Sequence, residues 1–395
     1  MRVVGIIAEY NPFHSGHAYH LEQAKTMAKA DYALVVMSGE YVQRGEPALF
    51  PKGIRAKWAL QNGADLVIEL PVVFSLTSAQ GFARGAVSLL EACGLVDALC
   101  FGSECGDRML LSNALEAERT PDYSLALQAA LKAGRSYPAA RQTALQNTAF
   151  YPGPNDILAM EYLRALEALG SSMEPISLLR RGANHDQDGF HGVHASASAL
   201  RQAMAYGDWD GIVPYLPERE LEEIRSLAAE GKARYFPLLS QAILYALRRL
   251  SREELAALGE VREGLENPIY QACRAASTTE ELLSLVKTRR YPMARLKRVC
   301  LCALLGITGE DLRAASEGLY IRVLGARKNA LALLRSLAKA AKVPFVTRFA
   351  DTARLQGMQR RLFALDRLAA ETACLASQNP QSTPFDFGDP FLLVD

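Results

Sequence analysis

The chain is poor in the features that would take it out of the ordinary class of globular proteins. Its seven cysteines (Cys93, Cys100, Cys105, Cys273, Cys300, Cys302 and Cys374) are an odd number without a Cys-x-x-Cys spacing, so structural thiols in a reducing compartment are the reading. No uncharged stretch reaches the roughly 18 residues that a membrane helix requires. The opening Met1-Arg2-Val3-Val4-Gly5 runs into a short apolar segment broken by Glu9, which fits no signal peptide, and a cytoplasmic location is expected. Internal repeats and long low-complexity segments are also missing. So is a net charge of either sign: 44 Lys and Arg stand against 43 Asp and Glu, leaving +1. Read as a total, that argues against a strong nucleic-acid partner.

What is present changes that reading. Residues 231–370 carry 25 Lys and Arg against 12 Asp and Glu, a net +13, while the remainder carries 19 against 31, a net −12. An acidic part and a basic part cancel. A length of 395 residues also exceeds what one hydrophobic core usually organises, so more than one domain is expected.

In the first half, short apolar runs alternate with helical patterns. Val3–Ala8, Ala33–Met37, Leu66–Leu70, Ala98–Phe101 and Pro175–Leu179 read as buried strands. Helical spacing falls between them, at His17–Ala28, Gly53–Gln61, Ala79–Ala92 and Asp156–Leu169. This alternation predicts an α/β fold with a Rossmann-like parallel sheet, which places ligands beyond the carboxyl ends of its strands. From about Ala205 helical patterns dominate, with one further strand pair expected around Tyr320–Leu324 and Val343–Val346. Gly207, Pro214 and Pro217 mark a junction. The expected division is a catalytic domain over 1–206, a mainly α-helical basic domain over 207–376, and an extended arm over 377–395 rich in Pro and Phe.

The strongest chemical signal follows the first strand: Ile7-Ala8-Glu9-Tyr10-Asn11-Pro12-Phe13-His14-Ser15-Gly16-His17-Ala18-Tyr19-His20. A strand, a turn holding Pro12 and Gly16, and a helix start put backbone N–H groups and a positive helix end where phosphates can sit. His14 and His17 can donate to a polyphosphate and to charge developing on a leaving pyrophosphate. Other polar clusters also follow strands. Ser38-Gly39-Glu40 through Pro47 comes after the second, with Lys52 and Arg55 opening the next helix as candidate anion partners. Phe101-Gly102-Ser103-Glu104 comes after the fourth. Asn155 is placed at a helix N-cap, where capping alone is sufficient reason for it. Arg180 and Arg181 follow the fifth strand, and Ser196, Ser198 and Arg201 open a later helix.

The HxGH turn resembles the signature of nucleotidylyl transferases and of HIGH-type aminoacyl-tRNA synthetases, and Ser196-Ala197-Ser198-Ala199-Leu200-Arg201 looks like a degenerate form of the phosphate-binding ISSTxxR element of the former. Combined with Met37-Ser-Gly39, Gln43-Arg-Gly-Glu-Pro47, Asp65 to Pro71, Phe101 to Glu104, Pro154-Asn155, Lys287-Thr-Arg-Arg-Tyr291 and Tyr320 to Gly325, it resembles the bacterial tRNA(Met) cytidine acetate ligases along essentially the whole chain. The resemblance implies activation of acetate with ATP to acetyl-adenylate, then acetyl transfer to N4 of the wobble cytidine of elongator tRNA(Met). It implies ATP contacts from Ile7 to His20 and from Gly102, Asn155 and Arg180, with Arg181 an alternative to Arg180 and Ser198 an added phosphate contact. His14, His17, Ser38 and Lys52 are the catalytic candidates, and Mg2+ is expected with the nucleotide rather than in a protein metal site.

In the basic half, Lys287, Arg289, Arg290, Arg295, Lys297 and Arg298 are six cations in twelve residues with no acid among them, and Tyr291 is interleaved as a stacking candidate. A solvated helix face usually alternates sign, so this run is the expected tRNA surface. Two other readings stay open from sequence. A small-molecule adenylyltransferase explains HxGH but leaves the basic half without a role, and a non-catalytic RNA-binding protein leaves HxGH without one.

Overall fold

The expected parallel sheet is present, and the second half of the chain extends it. The computed structural model describes residues 1–135, 137–145, 153–180, 196–380 and 391–395. In chain order its strands are β1 Val3–Ala8, β2 Tyr32–Ser38, β3 Tyr41–Val42, β4 Glu46–Pro47, β5 Leu66–Leu70, β6 Ala98–Ser103, β7 Glu174–Leu179, β8 Ile321–Arg327, β9 Phe345–Val346 and β10 Leu392–Val394. The main sheet has the order β10-β8-β5-β2-β1-β6-β7, with β9 beside β8. From β5 to β7 all neighbours are parallel. β3 and β4 form a separate antiparallel hairpin.

The residue pattern explains the layering. Along β2, Leu34 and Val36 face one core, while Ala33, Val35 and Met37 face the other; along β5, Leu66, Ile68 and Leu70 oppose Val67. Both faces are apolar, as a parallel sheet covered on both sides requires. Helix Ser15–Ala28 covers one face through Leu21, Ala24 and Ala28, and helix Ala79–Cys93 covers the other. The second helix starts at the Ser78 cap, whose Oγ accepts from Gly81 N–H, and stops at Gly94 in the left-handed region.

β8 pairs antiparallel with β5, with a register shift at Val67/Ile68, and β9 and β10 run parallel to β8. The core that includes Leu34 and Leu66 also takes in Leu301, Tyr320 and Leu362. The division expected at 206/207 therefore interrupts neither the sheet nor this core. Residues expected as an arm return to the fold too: Asn379 N–H donates to Gly231 C=O at 3.1 Å, and β10 lies on β8. All seven cysteines are unpaired. Among the described residues no helix is long and apolar enough to cross a membrane.

β1 lies between β2 and β6, so the strand order reverses there. A doubly wound sheet opens its ligand crevice at such a switch point, beyond the carboxyl ends of the strands.

Candidate active site

The turn after β1 is held by its own side chains. Asn11 Oδ1 accepts from Leu49 N–H at 2.7 Å, and the Asn11–Pro12 peptide is cis. Tyr10 and Phe13 turn inward and pack edge-on to each other with centroids 4.9 Å apart; Tyr10 also lies 4.9 Å from the His17 ring. These two residues, expected among the ATP contacts, are therefore a wall that sets the His17 ring from behind. Pro12 belongs to the same buried turn.

His14 is the N-cap of helix Ser15–Ala28. Its Nδ1 accepts from Gly16 N–H at 3.1 Å, and its own N–H donates to His17 Nδ1 at 3.3 Å. The rings stack at 3.7 Å. With both Nδ1 atoms accepting from backbone, Nε2 is the protonated nitrogen of each ring. Burial first, then the neighbouring His14, Arg180 and His20, lower the pKa of His17 well below the ordinary range, so it is a neutral donor. Ser15, Gly16, Ala18, Tyr19 and His20 form the first turns of this helix behind the histidines.

Three arginines converge on the same end of the sheet. Arg201 donates to Asn11 C=O at 2.8 Å, and Ser198 Oγ accepts from both Arg201 and Arg44 at 3.3 Å. Ser196, as expected, opens that helix: its Oγ accepts from Ala199 N–H at 3.1 Å. Arg180 Nη1 lies 3.5 Å from Asn155 Oδ1. Burial lowers the pKa of both Arg180 and Arg201; nearby carboxylates oppose this, and the charge of Arg44 adds to it. Mutually repelling, partly desolvated cations are a site prepared for a polyanion. Gly102 lines this corner, because a Cβ there would stand 3.2 Å from Arg180 Cγ. Glu9 accepts from Gln43 N–H at 2.7 Å; burial raises its pKa, against that bond and the charges of Arg44, Arg201 and Arg55.

Several expected roles change. Gly153, not Asn155, is the N-cap of helix Pro154–Ala168, and Asp156 Oδ2 accepts from its N–H at 3.1 Å. Asn155 is the second residue of the helix, within its first turn, where Glu104 accepts from its side chain, from its N–H at 3.2 Å and from Asp156 N–H at 2.7 Å. Arg55 is fully buried and binds protein carbonyls rather than an outside anion. It donates to Glu9 C=O at 2.6 Å, Ser38 C=O at 3.1 Å, Phe50 C=O at 2.9 Å and Gly39 C=O, tying together the carboxyl ends of β1 and β2. Lys52 is buried on both oxygens of Glu69, at 2.7 and 2.9 Å, with Arg322 on the same carboxylate at 3.1 Å. Ser38 Oγ is buried without a hydrogen-bond partner among the described residues. Arg181 lies outside the described residues.

The basic run divides. Lys287, Arg289 and Arg290 are exposed. Tyr291 is buried with its hydroxyl donating to Glu263 C=O at 3.1 Å, which removes it as a stacking platform. Arg295 donates to Glu260 C=O at 3.1 Å, and Arg298 pairs with the Glu260 carboxylate at 2.7 Å. Lys297 pairs with Glu46 at 2.7 Å. Arg298 also donates to Gln43 C=O at 3.1 Å, so helix Met293–Leu305 supports the loop that carries Arg44. Gly45, at φ +76°, sits against this helix; a Cβ there would be 2.7 Å from Arg298 N. Arg44 and Glu46 lie in the polar cluster expected after the second strand, although neither was singled out there as an ATP contact or a catalytic candidate.

A switch-point crevice floored by an HxGH turn and ringed by arginines defines a nucleotidyl transferase, and residues 1–386 match the HIGH Nucleotidyl Transferase family, to which the chain belongs. The relatives narrow the class. A tRNA(Met) cytidine acetate ligase of Thermoanaerobacter sp. is 37% identical over 99% of this chain and 100% of its own length. That of Bacillus velezensis is 37% identical over 98% and 95%. A crystal structure of Thermotoga maritima TmcAL bound with alpha-thio ATP superposes with a TM-score of 0.89 at 31% identity, and the apo form with 0.91 at 30%; both cover 100% of each chain. Within the HIGH nucleotidyl transferases, the chain is a member of the tRNA(Met) cytidine acetate ligase family.

Proposed function

We propose that this protein activates acetate with ATP and transfers the acetyl group to the wobble cytidine of elongator tRNA(Met). The observation that carries the nucleotide chemistry is the stacked His14–His17 pair, with both Nε2 atoms protonated, beside Arg44, Arg180 and Arg201. The acceptor is carried by the full-length likeness to tRNA(Met) cytidine acetate ligases.

In the first step an acetate oxygen attacks the α-phosphorus in line. The bond to the bridging oxygen breaks, and pyrophosphate leaves with the electron pair. A neutral imidazole donor and fixed guanidinium charges stabilise the oxygens on which negative charge grows. Among the described residues no three His, Cys, Asp or Glu side chains form a metal cage. Mg2+ would come with the nucleotide substrate and supply positive charge against its phosphates. In the second step the cytidine N4 attacks the acetyl carbonyl, AMP leaves, and the amine loses a proton. No cysteine takes part, and six of the thiols lie buried in the core with pKa values that burial, as the first cause, raises. The carboxyl ends of β1, β2 and β6 meet at this site, and Lys287, Arg289 and Arg290 supply cations for the RNA.

Labelled acetate, ATP and total tRNA decide the matter. Label in tRNA(Met), located at a single cytidine, is the expected result; unlabelled tRNA with turnover of ATP sinks the proposal.

A further inference from the structure

The cations of the basic half fall into two groups. Arg234, Arg298, Arg322 and Arg361 face Glu40, Glu260, Glu69 and Asp311, so their charge is largely cancelled where they stand. Arg248, Arg249, Arg252 and Arg274 are exposed, and none has a carboxylate at ion-pair distance among the described residues. They cluster on helix Ser240–Arg249, on helix Glu266–Ala275, and at the start of helix Arg252–Ala257.

These guanidiniums are nonetheless held. Arg248 donates to Cys273 C=O at 2.8 Å and to Ala276 C=O at 2.7 Å, at the end of the neighbouring helix. Arg274 donates to Tyr270 C=O at 2.9 Å and lies 3.6 Å from the Tyr270 ring centroid, with Arg252 4.8 Å from the same centroid. Arg249 stands 5.5 Å from the ring of Tyr245, which is 66% exposed. Carbonyl dipoles and ring faces orient a guanidinium without cancelling its charge, whereas a carboxylate cancels it. The nearest acids along the chain, Glu253 and Glu254, turn to the helix cap instead: Glu254 accepts from Ser251 N–H at 2.8 Å, and Glu253 is held by its own backbone N–H and the Ser251 side chain.

We propose that this face is a second RNA-docking surface, separate from Lys287–Arg290, in which Arg248, Arg249, Arg252 and Arg274 take phosphates and Tyr245 stacks an unpaired base. It rests on the reading that RNA is the acyl acceptor. Pre-oriented cations beside an exposed aromatic ring match a chain that alternates phosphates and bases, whereas an acidic peptide carries no aromatic base with each of its anionic groups. The sequence pattern hid this surface, because its members lie on three helices and acids separate Arg252 from Arg274 along the chain.

The test uses the full-length chain with Tyr245→Ala, Arg249→Ala and Arg252→Ala combined, all exposed positions whose loss leaves the core intact. Dissociation constants for tRNA are measured from about 50 to about 200 mM salt, and acetate-dependent ATP–pyrophosphate exchange without RNA is measured alongside. Binding should weaken about tenfold, and the log–log salt slope should become shallower by about two, one for each arginine removed from a phosphate. Exchange should be unchanged, and Tyr245→Phe alone should bind as the unmutated chain does. If the unmutated chain binds tRNA with a salt slope that the triple variant reproduces, this surface falls and the acceptor reading stands. If the unmutated chain shows no salt-dependent tRNA binding, both fall.

Discussion

His14 caps the helix that His17 belongs to, and each imidazole accepts a backbone N–H on Nδ1 while the rings stack at 3.7 Å. Neither ring can rotate without breaking a bond made by the turn itself, so the sequence spacing x-Gly between them fixes the direction of both donors. Asparagine places its amide oxygen near an imidazole Nδ1, so His17→Asn keeps the bond to His14 N–H but loses the outward donor. Its fold should hold while acetate-dependent ATP–pyrophosphate exchange drops about 10²- to 10⁴-fold, with a much smaller change in the KM for ATP. His14→Asn should behave likewise, and the double variant should lose little more than either single one, since the rings act as one unit. Exchange within threefold of the unmutated rate in both single variants would remove the pair from the mechanism.

Gly102 and Arg180 give a steric prediction. A Cβ at Gly102 would meet Arg180 Cγ at 3.2 Å, a contact with a long side chain and not with backbone. Gly102→Val therefore displaces the guanidinium and leaves the strand in place. The KM for ATP in the exchange assay should rise about tenfold, the scale of one charge-assisted contact. The thermal midpoint should shift by only a few degrees. Because β6 keeps its pairs with β1 and β7, a large loss of stability with unchanged KM would show that the glycine serves packing alone.

His20 predicts a pH dependence of stability. Its Nε2 is buried without a partner among the described residues. Burial, helped by Arg180 and opposed by a backbone hydrogen bond at Cys100, pushes its pKa down to about 4 from an ordinary value of 6.5. Between those values the unfolded chain binds a proton that the folded chain refuses. The contribution is complete above about pH 6.5 and is lost as the pH falls toward 4. At about pH 5 the loss is about 2 kcal/mol for this group. Urea unfolding at about pH 7.5 and about pH 5 should show His20→Phe losing less stability than the unmutated chain by roughly that amount. Equal losses in the two proteins would place the ring in water in the folded state.

The parts of this site that were legible in the sequence are those whose determinants are local. β1, β2, β5 and β6 are mainly apolar runs because a parallel sheet buries both faces, and the HxGH turn follows β1 directly. What could not be read depends on partners remote along the chain. Lys297 meets Glu46 from 251 residues away, and Arg298 meets Glu260 from 38. A run of cations therefore looked solvent-facing when Arg290, Arg295, Lys297 and Arg298 were already paired with carboxylates. β8 was legible as a strand, but its place against β5 was not, since an unpaired sheet edge is a property of the assembled fold. Asn155 fits an N-cap by residue type, yet Gly153 precedes Pro154 and takes that place, leaving Asn155 turned to Glu104 and Arg180.

That division of the basic run yields a contrast between two variants. Lys297 and Arg201 share the Glu46 carboxylate, at 2.7 and 3.4 Å, and although burial opposes it, their charges hold the Glu46 pKa below the usual range. Lys297→Met keeps the aliphatic stem over Phe236, whose ring lies 5.2 Å from the ammonium, and removes the charge. Glu46 then loses the nearer of these two partners, and the loop carrying Arg44 loses an anchor, at a cost of about 1 kcal/mol. Lys297→Met should therefore slow ATP–pyrophosphate exchange several-fold in the absence of RNA. A Lys287→Ala, Arg289→Ala, Arg290→Ala variant should leave exchange untouched and raise the KM for tRNA, with a shallower salt dependence. If Lys297→Met weakens only the RNA step, the lysine serves the RNA directly and its bond to Glu46 gives way when RNA binds.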